Sequence, residues 1–395
     1  MTGPLRTLLA IALLAGAPAF AFPWMVKHNY GACAACHVDP SGSGQLTPYG
    51  RAQADVLVRW KVEQPPKGKE QEVPPSANFL WFLELPDSVN LSGNLRGGPA
   101  VFVIPGTPTA VRALIMAVDL YATFNVDRFV FHGTGGYGIR VKEAVVAPQC
   151  DPAVGPCGDS FVAREYWAGA KFSDEAVMLR VGRLNLPFGL RNIEHTTWVR
   201  ALTLTDTNVD QQLGAAVSYN SETLRGEVMG IAGNFQIGPD LYRERGYSAF
   251  GEYALAPNAY LGLSSLVAHT GADLLTRLAT TRHAHGLFLR WAPAPSVALL
   301  AEGDFLAWVA PPVLDRFGYA AMLQGDFELV QGLHLVAIAE ASARADGRGT
   351  WLGAWGSVLW YPLPHLEVRL DNIVRNSGVG TPFGYTFLAQ FHLFL

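Results

Sequence analysis

The sequence has little charge for its length. Of its 395 residues only 16% are Asp, Glu, Lys or Arg, whereas soluble domains usually carry about 25%. The formal net charge is −4 and basic residues form no long run, which argues against nucleic acid as a partner. Beyond the N-terminal leader, no apolar run reaches the ~20 residues of a membrane-spanning helix. The mean hydropathy is nevertheless positive, at +0.17.

The first residues have the composition of an export signal. Arg6 supplies a positive charge, residues 8–15 are apolar, and residues 19–21 form a small-x-small cleavage site. This pattern predicts a signal peptide over residues 1–21 and a mature chain that begins at about Phe22. An uncleaved anchor helix is the alternative, but its apolar core is short for a span.

A short motif follows the predicted cleavage site. Cys33, Cys36 and His37 have the Cys-x-x-Cys-His spacing that is typical of c-type haem attachment. The two thiols add to the haem vinyl groups, and the adjacent imidazole becomes an axial ligand of the iron. A disulfide redox pair would need a βαβ context, and a zinc site would need four ligands. The motif therefore predicts one covalent haem c.

Several residues are candidates for the sixth ligand of the iron. His28 and Met25 lie upstream of the motif, close enough to fold back over the ring. A Met ligand would raise the reduction potential, whereas a second His would generally lower it. His28 is preferred, Met25 comes second and a histidine of the barrel lumen third. Solvated loop side chains are the alternative for both upstream residues.

A short helix and a linker separate the motif from the rest of the chain. Thr47 is placed to cap a helix with Pro48 at its first position, running to about Trp60. Residues 64–75 are rich in proline and charge, which is typical of a linker. We predict a mono-haem cytochrome c module over residues 22–60 and a linker with barrel entry over 61–87. The barrel is expected over 88–395.

The remainder of the chain shows repeated period-two alternation. In the last segment, Tyr385, Phe387 and Phe391 fall on one face, while Gln390 and His392 fall on the other. An apolar face opposite a polar face over about ten residues is what a lipid-facing strand with a wet lumen requires. The fold class is therefore all-β, an outer-membrane β-barrel of about sixteen antiparallel strands. A soluble β-sandwich, the alternative, would not need a charged second face throughout.

Connector lengths also favour a barrel. Short connectors, such as residues 173–175 and 256–258, alternate with long ones at about 142–160, 185–211, 233–245 and 270–281. Short periplasmic turns and long outer loops are the rule in outer-membrane barrels. The expected location is the outer membrane of a Gram-negative bacterium, with its lipid as a partner.

Several other residues are candidates for function. His132, His334 and His392 fall on predicted inward faces, either as haem ligands or contacts or as ordinary lumen side chains. Cys150 and Cys157 lie in a predicted outer loop of an exported chain, which favours a local disulfide over a metal site.

Charged residues suggest two further features. The predicted inner faces carry more acidic than basic side chains, which would favour cations in a pore. In the predicted outer loop 185–211, Glu194, His195, Asp206 and Asp210 are ligand types that suit Fe(II). A solvated loop without metal is the preferred interpretation.

The layout resembles the fused outer-membrane cytochrome c–porin family, which includes Fe(II) oxidases of iron-oxidising bacteria. The resemblance covers the whole architecture, but only Cys33, Cys36 and His37 match residue by residue. Separately, residues 180–190, with the sequence RVGRLNLPFGL, are similar to a strand-to-loop stretch of phosphate-selective-type porins. The resemblance implies a redox role with iron as one candidate substrate.

These observations lead to one main hypothesis. The apolar band of an outer membrane is ~25 Å tall, so a single haem serves electron transfer across it only from within or beside the lumen. We expect electron exchange between an extracellular donor or acceptor, such as Fe(II), and a periplasmic c-type cytochrome, as in an Fe(II):cytochrome c oxidoreductase. The alternatives are a solute-diffusion porin with a structural or regulatory haem module, and a scaffold barrel for other cytochromes.

Overall fold

A computed structural model describes residues 23–28, 30–61, 78–137, 161–192, 194, 196–235, 237, 239–273, 276–311, 314–343, 349–376 and 378–395. The predicted signal peptide, most of the predicted linker, His195, Cys150 and Cys157 lie outside these residues. Within the described part, no helix is long and apolar enough to cross a membrane.

The described strands form one closed antiparallel barrel. β4 and β5 both pair with β3, so they are two pieces of one strand, and β1 pairs with β17 to close the sheet. Seventeen segments therefore make a sixteen-stranded barrel, as predicted. The segments are β1 (Val89–Val103), β2 (Ala110–Val126), β3 (Phe129–Tyr137), β4 (Phe161–Val162), β5 (Tyr166–Phe172), β6 (Val177–Leu184), β7 (Gln212–Asn220), β8 (Leu224–Gly233), β9 (Arg245–Ala256), β10 (Ala259–Thr270), β11 (Thr280–Ala294), β12 (Val297–Ala310), β13 (Leu314–Val330), β14 (Leu333–Ala343), β15 (Thr350–Leu363), β16 (Leu366–Arg375) and β17 (Gly384–Phe394).

The barrel has one end of short turns and one of longer connections. Residues 127–128 join β2 to β3 and residues 257–258 join β9 to β10, whereas residues 185–211 join β6 to β7. β1 begins and β17 ends at the short-turn end. The predicted alternation of connectors is confirmed.

Each strand presents one face outward and one inward because side chains alternate along it. On β8, Arg225, Glu227 and Met229 are buried, whereas Leu224 and Val228 are exposed. The outward side chains are largely apolar and include many aromatic residues. This is the surface that a lipid-embedded barrel requires.

The N-terminal segment, residues 23–61, lies inside the barrel, and we call it the plug. It consists of a 3-10 helix (Pro23–His28), a 3-10 turn (Cys33–Ala35), the helix α1 (Pro48–Gln53) and a π-helical turn (Ala54–Val58). Its contacts reach strands around the whole circumference, which is possible only from within the lumen. They include Gln45 Nε2 to Asn90 O on β1 (2.8 Å), Arg180 on β6 to Asp39 (3.1 Å), Lys27 to Asp326 on β13 (2.9 Å) and Trp60 N to Tyr361 O on β15 (2.9 Å).

The helix α1 begins as the sequence predicts. The Thr47 hydroxyl accepts a hydrogen bond from the Gly50 amide at 3.0 Å, and Pro48 occupies the first turn. Gly50 packs directly on the motif, since a Cβ there would lie 2.4 Å from the carbonyl oxygen of Cys36. The helix α1 therefore packs directly against the backbone that carries the two cysteines.

The long connection between β6 and β7, residues 185–211, folds into the lumen above the plug, and we call it the inner loop. It contains the helix α2 (Trp198–Thr203). Leu186, Phe188 and Leu190 are buried in the lumen core, and Arg200 forms an ion pair with Glu302 on β12. The expectation of a solvated outer loop is therefore wrong for this segment. The reason is its apolar side chains, which are removed from water when they pack inside the barrel.

The space between the plug, the inner loop and β8–β15 is a packed apolar core. Trp24 of the plug, Phe188 of the inner loop and Phe288 and Met322 of the wall belong to one buried cluster. The expectation of a wet lumen is wrong on this side of the barrel. Among the inward acidic residues that suggested a cation-selective pore, Asp326 pairs with Lys27 and Glu302 with Arg200. Neither carboxylate oxygen of Asp304 has a hydrogen-bond partner among the described residues.

Candidate haem site

The Cys-x-x-Cys-His motif forms a tight turn. The amides of Cys36 and His37 both donate to the carbonyl oxygen of Cys33, at 3.1 and 2.9 Å. His37 then pairs with Leu46 in an isolated antiparallel bridge. The turn and the bridge hold the two thiols and the imidazole in one compact unit of the plug.

Both thiols of the motif are free and buried, with Cys33 3% and Cys36 1% exposed. The Cys33 sulfur accepts a hydrogen bond of 2.7 Å from Nη1 of Arg225 on β8. Burial raises the pKa of the Cys36 thiol, and Cys33 adds to this effect. Neither sulfur takes part in a disulfide, and addition to haem vinyl groups requires free thiols.

The loop between His37 and Leu46 is organised by Asp39. Its Oδ1 accepts hydrogen bonds from the amide and hydroxyl of Ser41, at 3.0 and 2.9 Å, and Asn185 of the inner loop donates to its Oδ2 at 3.3 Å. Burial opposes ionisation of Asp39, but the nearby guanidiniums of Arg180 and Arg191 outweigh it and hold its pKa below the ordinary value. Asp39 is thus an anion that ties the plug to the wall and to the inner loop.

His37 lines a cavity between the plug, the inner loop, β1 and β17. The cavity has a volume of about 190 Å³, which is below the ~300–1,000 Å³ range of small-molecule pockets. Neither cysteine lines this cavity, although Cys36 is adjacent to His37 in the chain. Other lining residues are Arg96, Tyr121, Glu165, Arg191 and His392.

Several buried polar atoms around this cavity have no hydrogen-bond partner among the described residues. They include Nε and Nη1 of Arg191, Oε2 of Glu165 and Oδ1 of Asn192. Arg191 uses only Nη2, which donates to the Ser41 hydroxyl at 3.0 Å and to a backbone carbonyl. Leaving such groups unpaired costs about 1–3 kcal/mol each, so the cavity fits a ligand with charged polar groups. The free guanidinium nitrogens of Arg191 suit a haem propionate, whereas Glu165 and Asn192 present acceptor oxygens to the cavity.

The structure separates the three predicted lumen histidines. His132 hydrogen-bonds through Nδ1 to the Thr123 hydroxyl at 2.9 Å and stacks on Trp167 at a centroid distance of 5.1 Å. His334 hydrogen-bonds through Nδ1 to Asp326 at 3.0 Å and packs against Trp24. Only His392, among these three, lines the cavity of His37.

The two upstream candidates for the sixth ligand lie elsewhere in the plug. Met25 is 2% exposed and belongs to the apolar core. His28 Nε2 lies 3.7 Å from Glu328 of β13. Burial, and secondarily the charge of Lys27, lower the pKa of His28. The structure does not bring either residue into the cavity that His37 lines.

A second cavity lies on the outer side of the first. Its volume is about 490 Å³, and its lining includes Arg375, Asn376 and Tyr385 near the end of the barrel that carries the longer connections. Arg96 of β1 lines both cavities and donates to the Gln390 side chain at 2.9 Å. The two cavities therefore meet at Arg96.

Sequence reasoning missed the inner loop as part of the site. Its local signal is the stretch 180–190, in which Gly189 has φ of +55° and packs against the side chains of Glu302 and Arg200. This left-handed backbone conformation favours glycine, because an L side chain is strained there. Arg191, two residues on, then reaches the cavity of His37.

The described residues of the suggested Fe(II) site in the inner loop do not form a metal-ligand cluster, and His195 lies outside the described part of the chain. Glu194 is buried and forms an ion pair with Arg369 of β16 at 2.7 Å. Among the described residues, no group of three or more His, Cys, Asp or Glu side chains is arranged to hold a metal ion.

Comparison with known proteins identifies the class of fold. No protein-family model and no curated protein matches the sequence. Among solved structures, a loop L8 deletion mutant of OmpT, an outer membrane protein of Vibrio cholerae, is similar with a TM-score of 0.59 at 10% identity, covering 78% of this chain and 99% of that one. An anion-selective porin from Comamonas acidovorans matches at 0.56 and 10%, covering 78% and 99%.

The outer membrane channel DcaP of Acinetobacter baumannii also matches, with a TM-score of 0.53 at 12% identity, covering 77% of this chain and 97% of that one. At these identities the similarity establishes the fold alone. This chain is a sixteen-stranded antiparallel barrel with the fold of outer-membrane porins.

Proposed function

We propose that this chain is an outer-membrane electron-transfer protein that holds one c-type haem inside its barrel. Cys33 and Cys36 bond the haem covalently, and His37 is an axial ligand of the iron. The observation that carries the proposal is the placement of this motif within the lumen, with His37 beside a cavity that the unpartnered guanidinium nitrogens of Arg191 also line. The bound haem supplies one-electron chemistry, and the polypeptide supplies ligation, burial and charge.

The outer surface supports the location in a membrane. Val111 is 71% exposed and Leu120 66% exposed on the outward face of β2. Such apolar exposure on every side is unfavourable in water but favourable in lipid. With the porin fold, it supports the outer membrane of a Gram-negative bacterium as the location.

The cavities support contact with an extracellular partner. Asn376 and Pro382, on the connection between β16 and β17, line the outer cavity, and Arg96 links that cavity to the one beside His37. A small electron donor or acceptor, with Fe(II) as one candidate, would approach by this route. The plug reaches the short-turn end of the barrel through Trp60, where a periplasmic c-type cytochrome would exchange electrons with it.

Free diffusion of solutes is the second candidate function, because the plug occupies the lumen. Contacts of residues 23–61 with β1, β6, β13 and β15 occupy the lumen that a diffusion porin leaves open. The porin fold itself favours this alternative, in which the haem module is structural or regulatory. Conductance decides between the two.

The experiment measures electron transfer across a sealed bilayer. Protein is reconstituted in liposomes with a c-type cytochrome trapped inside, and Fe(II) or another membrane-impermeant reductant is added outside. We expect reduction of the trapped cytochrome with the wild-type chain and none with the variant Cys33→Ala/Cys36→Ala. A silent haem together with large solute conductance in planar bilayers would instead support the porin.

A further inference from the structure

The sixth ligand of a haem held by His37 must come from a side chain that reaches the same cavity. It needs a lone pair on nitrogen or sulfur that is not already engaged. Five side chains were candidates from the sequence: Met25, His28, His132, His334 and His392. These five side chains differ in whether they line the cavity of His37 and in what they contact.

His132 and His334 lie in the barrel wall away from the cavity, although Nε2 of His334 has no hydrogen-bond partner among the described residues. Both ring nitrogens of His132 have hydroxyl partners, Thr123 at 2.9 Å and Thr134 at 3.4 Å. His334 is 1% exposed and packs against Trp24 at a ring-centroid distance of 4.9 Å. Neither residue lines the cavity.

Met25 and His28 are held on another side of the plug. The 3-10 helix that carries them packs on β11 and β12. The neighbouring Lys27 anchors this helix to β13 through two carboxylates. Bringing either side chain over His37 would break these contacts.

His392 faces the same cavity as His37. It lies on the inner face of β17, lines the cavity and keeps 19% of its side chain exposed. Its Nδ1 lies 3.5 Å from Oε2 of Glu367, which is its register partner on β16. A carboxylate at Nδ1 fixes the tautomer that leaves the lone pair on Nε2, as is usual for metal-bound histidines.

We propose that His392 is the second axial ligand of the haem iron and that Glu367 positions its imidazole. This inference rests on the proposed haem function. One ligand, His37, then comes from the plug and the other from the closing strand of the barrel. The iron thereby cross-links the plug to the wall, and complete ligation requires the docked plug.

The test is spectroscopic and uses the full-length protein. In the wild type, optical and electron paramagnetic resonance spectra should show a low-spin ferric haem with two nitrogen ligands. His392→Ala should convert the haem to a high-spin form, and its ferrous state should bind carbon monoxide readily. Added imidazole should restore the low-spin spectrum of this variant, as expected when a ligand position has been vacated.

Matched variants complete the test. His28→Ala and Met25→Leu should leave the spectrum unchanged, whereas Glu367→Gln should keep two nitrogen ligands but shift the midpoint potential. If His392→Ala does not insert, His392→Met replaces it, and sulfur ligation should then appear in the spectrum. A haem whose spectrum is unchanged in the inserted His392 variant overturns this inference alone. Absence of haem from the wild type overturns the proposed function.

Discussion

The ammonium group of Lys27 in the plug lies 2.9 Å from Oδ1 of Asp326 and 2.9 Å from Oε2 of Glu328, both on β13. The side chains of Lys27 and Asp326 are fully removed from solvent. His334 adds its Nδ1 at 3.4 Å from the ammonium nitrogen. The plug is thus held by a buried charge cluster, in which removal of one partner leaves the other charges uncompensated.

Replacing this lysine should loosen the plug. Lys27→Ala leaves two carboxylates without their cation, which costs about 3–5 kcal/mol when a buried pair is broken. We expect faster proteolysis of residues 23–61 and a higher ion conductance in planar bilayers. Lys27→Arg should retain the docked state.

The matched control is Lys171→Ala. Lys171 forms an exposed pair with Glu175 at 3.0 Å, and such surface pairs contribute about 0–1 kcal/mol. Unchanged conductance in Lys27→Ala would contradict the role of the cluster in holding the plug.

Acidification should weaken docking of the plug, because His28 accepts a proton more readily when the plug is undocked. Burial and the charge of Lys27 lower the pKa of His28 below its ordinary value of 6.5, so the docked state favours the neutral imidazole. The undocked state therefore binds the proton more readily. The docked state becomes less stable relative to the undocked state as the pH falls below about 6.5. Glu328 and Asp326 oppose this effect, whereas Lys27 and His334 add to it.

The measurement is plug protection from protease as a function of pH. Wild-type protection should decrease as the pH falls below about 6.5, and His28→Gln, which has no titrating ring, should show less change in that window. Identical pH profiles for the two proteins would show that His28 does not contribute.

The barrel should fold without its haem. In Cys33→Ala/Cys36→Ala the thioether bonds cannot form, so the haem band should disappear from the spectrum. The wall does not depend on these thiols, because its strands pair independently around the ring. The heat-modifiable mobility that marks a folded barrel should remain. Loss of insertion would show instead that the haem module is needed for assembly.

The contact between α1 and the motif should be sensitive to one methyl group. A Cβ at position 50 would lie 2.4 Å from the Cys36 carbonyl oxygen, so Gly50→Ala must displace α1 from the motif. Such overpacking costs about 1–3 kcal/mol. We expect a lower haem content per chain and faster proteolysis of the plug.

Gly356→Ala on β15 is the control, since its Cβ position has no neighbour within 4 Å. Equal haem content in both variants would show that the plug accommodates the methyl group without cost.

The barrel was predictable from sequence because strand alternation is a local signal. The period-two pattern of β17, with Phe387 and Phe391 outward and Gln390 inward, is visible in the amino-acid sequence. Closure by β1 and β17 follows from the even strand number and the need to leave no unpaired edge in lipid. The haem attachment motif is equally local, because its chemistry depends on the spacing of Cys33, Cys36 and His37.

The contents of the lumen were not predictable in the same way. Alternation shows which side chains point inward, but it does not show what fills the space they face. Arg200 and Glu302 are 102 residues apart in the chain, and no local pattern links them. The proximity of His392 to the cavity of His37 likewise depends on the docking of the plug. The predicted pairing of Cys150 with Cys157 stays a prediction, since both lie outside the described residues.

The most direct test of the central claim is the haem content of the purified mature chain. The protein is extracted from the outer-membrane fraction, denatured and examined by haem staining and by its pyridine haemochrome spectrum. We predict one c-type haem per chain, retained after denaturation and found on the band that is heat-modifiable before unfolding. A folded barrel without covalent haem or Soret absorbance would contradict the account and leave a plugged porin.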